Sequence, residues 1–196
     1  MTAADLTNAL ERLRAAWITA GAPLAEHLAP GLPEGETREL LSREMGGAPD
    51  ELVTWFGWHN GHDFPNGTPR WYTDSGISEF DLMTLDECFV ELKVNRDIAR
   101  EAPWGRNWWR GDYFPLLRGR GGESVVAITS RESGTCRVKY WHPEFPDCEP
   151  AADSVAALVT RWTDRIGAGD WVWTVKPGVG YWGPREGQDR FPVAKL

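Results

Sequence analysis

Pro49-Asp50-Glu51-Leu52-Val53-Thr54-Trp55-Phe56-Gly57-Trp58-His59-Asn60-Gly61 reads as a short helix with a start signal, a stop signal and a heavy aromatic load. Pro49 suits the first helical position, where a backbone N–H would go unpaired anyway, and Asp50 and Glu51 add negative charge to the first turn. Leu52, Trp55, Phe56 and His59 fall at i, i+3, i+4 and i+7, one face of a helix. Asn60 and Gly61 tolerate the left-handed backbone that closes a helix, so the spacing predicts an end there with at least one of them at positive φ. So much bulk on so short a helix requires other elements to pack around it.

Working outward, residues 36–45 form a second helix, with Leu40, Leu41 and Met45 inward and Gly46-Gly47 as its stop. Before it, Pro23, Pro30 and Pro33 punctuate a connector over residues 21–35. Residues 2–20 carry a Leu6, Leu10, Leu13, Trp17 stripe, and Thr2 with Asp5 resembles a capping box. On the C-terminal side, residues 62–74 are a polar loop and residues 77–82 a short strand. Thr84-Leu85-Asp86-Glu87 is a capping box ahead of a helix with Leu85, Phe89, Leu92 and Ile98 inward, ended by Pro103.

The periodicity then changes. Residues 113–117, 124–128 and 136–141 are apolar or alternating runs split by glycine turns, an antiparallel meander. Residues 142–152 read as an acidic, proline-punctuated loop. Asp153 or Ser154 caps a further helix with Val155, Leu158, Val159 and Trp162 inward, closing at Gly167. Residues 171–175 make a final strand, and the tail from Pro177 reads as loop. Strands beside segregated helices imply an α+β fold, a single domain over residues 1–196 with a central antiparallel sheet and helices packed against it.

Composition narrows the function classes. The chain has 196 residues, 41% hydrophobic and 26% charged, which suits one globular domain with a sizeable core. Its twelve tryptophans are mostly core filler, but twelve cannot all be fully buried, so some line a groove or a binding face. Net charge is −8 and uneven: residues 1–100 hold 17 Asp and Glu against 8 Lys and Arg, and the remainder 12 against 13. An acidic half argues against nucleic acid or an anionic membrane and suits a basic partner. Cys88, Cys136 and Cys148 are widely spaced, with no CxxC, which implies free thiols in a reduced cytoplasmic setting. Asp5 and Glu11 near the start, with no apolar segment, do not read as a signal peptide, and no run is long enough to span a membrane.

The order of elements resembles the SUKH superfamily, in particular its branch named for the fungal cell-wall synthesis regulators. The resemblance rests on the aromatic helix ending in Trp58-His59-Asn60-Gly61, the short strand and the capped helix. It continues through Trp108-Trp109, Tyr113-Phe114-Pro115-Leu116, Val125-Val126-Ala127-Ile128, Arg137-Val138-Lys139-Tyr140 and the helix begun by Ser154. It covers about residues 20–166, leaving residues 167–196 as a Trp/Gly-rich extension. It implies a non-enzymatic protein-binding domain without cofactor, such as an immunity protein that occludes a toxin, often a nuclease. Trp58, Asn60 and Gly61 would be its signature turn. It assigns no catalytic residue.

The residues themselves offer rival readings. His59, His62 and Asp63 are the one metal-like cluster, which a metal-dependent hydrolase would use. Asn60-Gly61 interrupts the helix that an i, i+3 histidine pair would need to converge on one ion. Over residues 104–120, Trp104, Trp108, Trp109 and Tyr113 interleave with Arg106, Arg110, Arg118 and Arg120, a pattern that would stack single-stranded bases or line a small-ligand pocket. The same residues serve as core aromatics beside a hairpin turn, and the acidic chain weighs against nucleic acid. No phosphate loop and no nucleophile elbow is present. Asp63, Asp74, Glu79 and Asp81, close in sequence around the signature turn, are the candidate contacts for a basic partner.

Overall fold

A computed structural model describes residues 3–63, 75–77, 80–102, 108–119, 121–129, 134–145, 150–176 and 179–185. Five helices, α1 (Ala3–Thr19), α2 (Glu34–Met45), α3 (Asp50–Trp58), α4 (Leu85–Glu101) and α5 (Val155–Gly167), surround an antiparallel sheet. Its six strands lie in sequence order: β1 (Ser75–Ile77), β2 (Phe80–Leu82), β3 (Tyr113–Arg118), β4 (Ser124–Ile128), β5 (Arg137–Trp141) and β6 (Pro150–Ala152). A separate hairpin of β7 (Trp171–Lys176) and β8 (Val179–Pro184) follows α5. The fold is α+β with one continuous core, and among the described residues no helix is long and apolar enough to cross a membrane.

The aromatic helix sits where its pattern requires. Leu52, Trp55, Phe56 and His59 are all fully buried, and Phe56 meets Phe114 of β3 edge to face at 6.1 Å. The stripe of α1, Leu6, Leu10, Leu13 and Trp17, is likewise buried, against α3 and α5. β3 and β4 are buried along almost their whole length, so both faces of the central strands are covered. Pro115 lacks an N–H for the ladder, and the β3–β4 register slips between Pro115 and Leu117.

Several expectations are corrected. Pro49 stands at the N-cap, outside the first helical position. The helix does not end in a left-handed turn: its C-cap, His59, is extended (φ −153, ψ 156). Gly61 does take φ +76, two residues further on, where the chain has turned to pair with residues 27–29. α2 begins at Glu34, and Thr37 joins the expected inward positions, of which Leu41 is buried and Leu40 and Met45 are half-buried against the core. Residues 77–82 are two paired short strands rather than one, and residues 142–152 end in the edge strand β6. Ile98 is 37% exposed, because the inward stripe of α4 is Leu85, Cys88, Leu92 and Asn95. The tail is not all loop: β8 pairs with β7 from Val179 to Pro184, and Trp171 and Trp182 pack on Trp162 of α5. The proposed box at Thr2 and the residue Cys148 lie outside the described residues.

Glu51 has a different role from the one its position suggested. It is fully buried, and Oε2 accepts from the backbone N–H of Cys136 at 2.7 Å and of Val155 at 3.2 Å, while Oε1 accepts from Ala156 at 3.0 Å. Ser154 completes the cap of α5: its hydroxyl accepts from Ala157 and its carbonyl from Leu158, so all four leading N–H groups of α5 are satisfied. At the other end of α3, Asn60 Oδ1 accepts from Leu85 N at 2.8 Å, supplementing the Thr84–Glu87 capping box that opens α4.

Two stability predictions follow from these caps. Glu51→Gln places an NH₂ where a carboxylate oxygen met backbone N–H groups. It should cost about 2–4 kcal/mol in urea unfolding, whereas Asp50→Asn, exposed next door, should cost at most about 1 kcal/mol. Equal losses for the two would show that the buried carboxylate is dispensable. Gly61→Val forces a β-branched residue to φ +76, with its Cβ 2.7 Å from Thr84 Cγ2 and 3.1 Å from Thr84 N. We expect a loss of at least roughly 1–3 kcal/mol; a thermal midpoint equal to that of the unmutated protein would contradict this.

Candidate binding groove

The segment leaving α3 carries the expected signature turn and the His59, His62, Asp63 cluster. It runs antiparallel to residues 27–29: Ala29 N donates to Gly61 O at 3.0 Å and Asp63 N to His27 O at 2.7 Å. His59 Nδ1 accepts from Gly61 N at 3.0 Å, which places the proton of the neutral ring on Nε2. Burial, then the neighbouring His62, pushes the His59 pKa down to about 3. Burial, then His27, pushes His62 down to about 4. Among the described residues no three His, Cys, Asp or Glu side chains converge as a metal site, and the expected cluster is divided between a buried His59 and an exposed Asp63.

Of the four candidate contacts, the structure describes two. Asp63 is exposed at the end of the 27–29 pairing, whereas Asp81 is half-buried in β2, in register with Arg118 of β3 and Ser75 of β1. Asp74 and Glu79 lie outside the described residues. Trp58 and Asn60 are half-buried and Gly61 is buried.

The Trp/Arg-rich segment turns inward. Trp109 and Tyr113 are buried, Trp108 and Trp109 stand edge-on to Trp141 at 4.8 and 5.1 Å, and Trp108 Nε1 donates to Pro143 O. Arg110 grips Asp112 through two hydrogen bonds of 3.0 and 2.8 Å, and Arg118 lies 3.7 Å from Glu87. These faces and charges are engaged within the fold; Trp104, Arg106 and Arg120 lie outside the described residues.

Among the described residues a groove of about 520 Å³ lies between α1, α2 and α3. Asp50, Thr54, Gly57 and Trp58 line it at i, i+4, i+7 and i+8 of α3, with Val53 beside them and Thr7 of α1 opposite. Glu34 and Arg38 of α2 complete it. Arg38 Nε donates to Glu34 Oε1 at 2.9 Å and Nη2 to Asp50 Oδ1 at 2.8 Å, clasping α2 to α3. Asp50 and then Glu34 hold that guanidinium's pKa above its already high value. Both pairs are well exposed, so they fix geometry more than they add stability. Trp58 Nε1 donates to Glu11 Oε1 at 3.1 Å, and the ring leans on Trp17, centroids 6.1 Å apart.

None of Glu11, Glu34, Arg38 or Gly57 was singled out from sequence. Only the i, i+4 spacing of Glu34 and Arg38 was a local signal; Asp50 and Glu11 join through tertiary contacts.

Because His59 in the folded chain gains its proton only near pH 3, it binds fewer protons than the unfolded chain, whose histidine titrates near 6.5. Its contribution is complete above pH 6.5 and is lost as pH falls below that value, by up to roughly 1.4 kcal/mol per pH unit. The His59 ring should therefore show no NMR titration between about pH 8 and 5, and a midpoint near 6.5 would contradict its burial. Among known proteins, neither a scan against protein-family models nor a search of the curated proteins matches this chain.

Proposed function

We propose that this chain is a non-enzymatic protein-binding domain of the SUKH type, acting in the cytoplasm as a toxin-immunity-type protein. Its acidic, aromatic-edged face would cover a basic surface of its partner, such as the phosphate-binding cleft of a nuclease, and block substrate access. The observation that carries this reading is the groove: Glu34 and Asp50 hold one guanidinium beside a half-exposed tryptophan whose N–H is bound by Glu11, on the acidic half of the chain. Aromatic anchors inside a polar, charged rim are what protein interfaces use. The resemblance supplies the class of partner; the groove supplies a place for it.

The test starts with affinity capture of the cognate partner and stopped-flow association. Complementarity of this kind acts mainly on the association rate and weakens as screening shortens to roughly 8 Å at physiological salt. Reversing Glu34 and Asp63 to Lys together should slow association at least about tenfold at low salt while leaving the fold intact. Both residues are exposed, and Asp81 is left out because it faces Arg118 across the ladder. An association rate insensitive to both salt and reversal would defeat the proposal.

A further inference from the structure

Building on that reading, we infer that the groove between α1, α2 and α3 is a receptor for a single arginine side chain presented by the basic protein partner. Arg38 already displays the geometry. Carboxylates from two different helices stand at the separation that one planar guanidinium spans, 2.9 Å from Nε to Glu34 and 2.8 Å from Nη2 to Asp50. Each carboxylate uses one oxygen. Among the described residues Glu34 Oε2 and Asp50 Oδ2 accept no hydrogen bond, and neither does Glu11 Oε2 beside Trp58. Glu34 and Asp50 share one guanidinium, leaving one negative charge uncompensated among the residues that line the groove. A second guanidinium therefore has acceptors waiting without displacing Arg38.

Trp58 adds the other half of the recognition. Its indole is half-exposed, and its N–H is held by Glu11, so the ring is fixed before a ligand arrives. A fixed aromatic surface beside carboxylates suits the flat, weakly hydrated guanidinium better than the compact ammonium of lysine.

Gly57 supplies an independent observation. It is exposed and lies inside α3, where glycine weakens a helix relative to alanine. No steric contact demands it: an added Cβ would meet only Leu32 O, at 3.9 Å. Gly31 is the contrast, since a Cβ there would collide with the Gly57 carbonyl. Gly57 has no such reason to be glycine, and it lines the groove with bare backbone where a side chain would take up space.

The test is an NMR titration of ¹⁵N-labelled full-length protein with acetyl-Gly-Arg-Gly-amide and its uncharged citrulline counterpart. The indole N–H resonance of Trp58, assigned through Trp58→Phe, is the readout. The arginine peptide should shift it saturably, and the citrulline peptide should bind about tenfold more weakly or worse. Gly57→Leu should abolish the shift with an unchanged or higher thermal midpoint. Glu34→Gln combined with Asp50→Asn should weaken binding by at least about tenfold. An unmoved Trp58 resonance, equal shifts from both peptides, or binding indifferent to Gly57→Leu would overturn the assignment. Shifts confined to residues around Asp63 would also overturn it, while leaving the broader acidic-face reading standing. A cognate complex indifferent to salt would count against that broader reading, and an arginine-specific shift of Trp58 would still support the groove.

Discussion

A single buried carboxylate holds the architecture together. Glu51 takes three backbone N–H groups from two elements distant in sequence: the entry to β5 and the first turn of α5. The backbone reinforces this, since Glu51 N donates to Gly134 O at 3.1 Å. A helix N-terminus buried without acceptors would leave donors desolvated and unpaired, at a cost of about 1–3 kcal/mol each. The negative charge also sits at the positive end of the α5 dipole. Asn60 performs the neutral equivalent for α4. α3 is therefore a short rod whose two ends cap the two helices that follow it, and the sheet is positioned between those fixed points.

This makes α3 a helix with two working faces. Leu52, Trp55, Phe56 and His59 face the core, while Asp50, Thr54, Gly57 and Trp58 face the groove. The caps and the buried aromatics immobilise the rod, so the groove side chains inherit a rigid backbone. Rigidity of this kind lowers the ordering cost of binding, which for exposed side chains is about 0.5–1.5 kcal/mol apiece. Trp58 links the two faces, leaning on buried Trp17 while its N–H holds Glu11 at the rim.

Stripes and side-chain caps are legible locally, whereas the start and stop signals of α3 are not. The stripes of α1 and α3, the Thr84–Glu87 box, the Ser154 cap and the three-strand meander all follow from spacing and composition, and each appears in the fold. Long-range satisfaction was invisible. Nothing near Glu51 indicates that its acceptors meet N–H groups at positions 136, 155 and 156, and a helix-opening Glu is ordinarily solvated. Ile98 misled because α4 packs on the sheet through a narrower stripe, in which Cys88 and Asn95 take inward positions. β8 was missed because its glycines and proline disguise a strand defined by pairing, with Trp182 opposite Trp173. The groove was the least legible feature, since its three helices contribute residues that look like ordinary solvated surface when read singly.

The distribution of reactive groups bears on what such a groove can do. Cys88 and Cys136 are buried thiols, their pKa values raised chiefly by burial, Cys136 to about 12. His59 is held neutral with one ring nitrogen occupied by Gly61 N–H. None of these groups lines the groove. The groove instead offers carboxylates that accept, an arginine that organises them, an aromatic surface and a bare helix backbone. On the proposed reading that inventory would recognise a cation, with a strength set by how completely a partner excludes water from it, since exposed charge pairs gain little until they are desolvated.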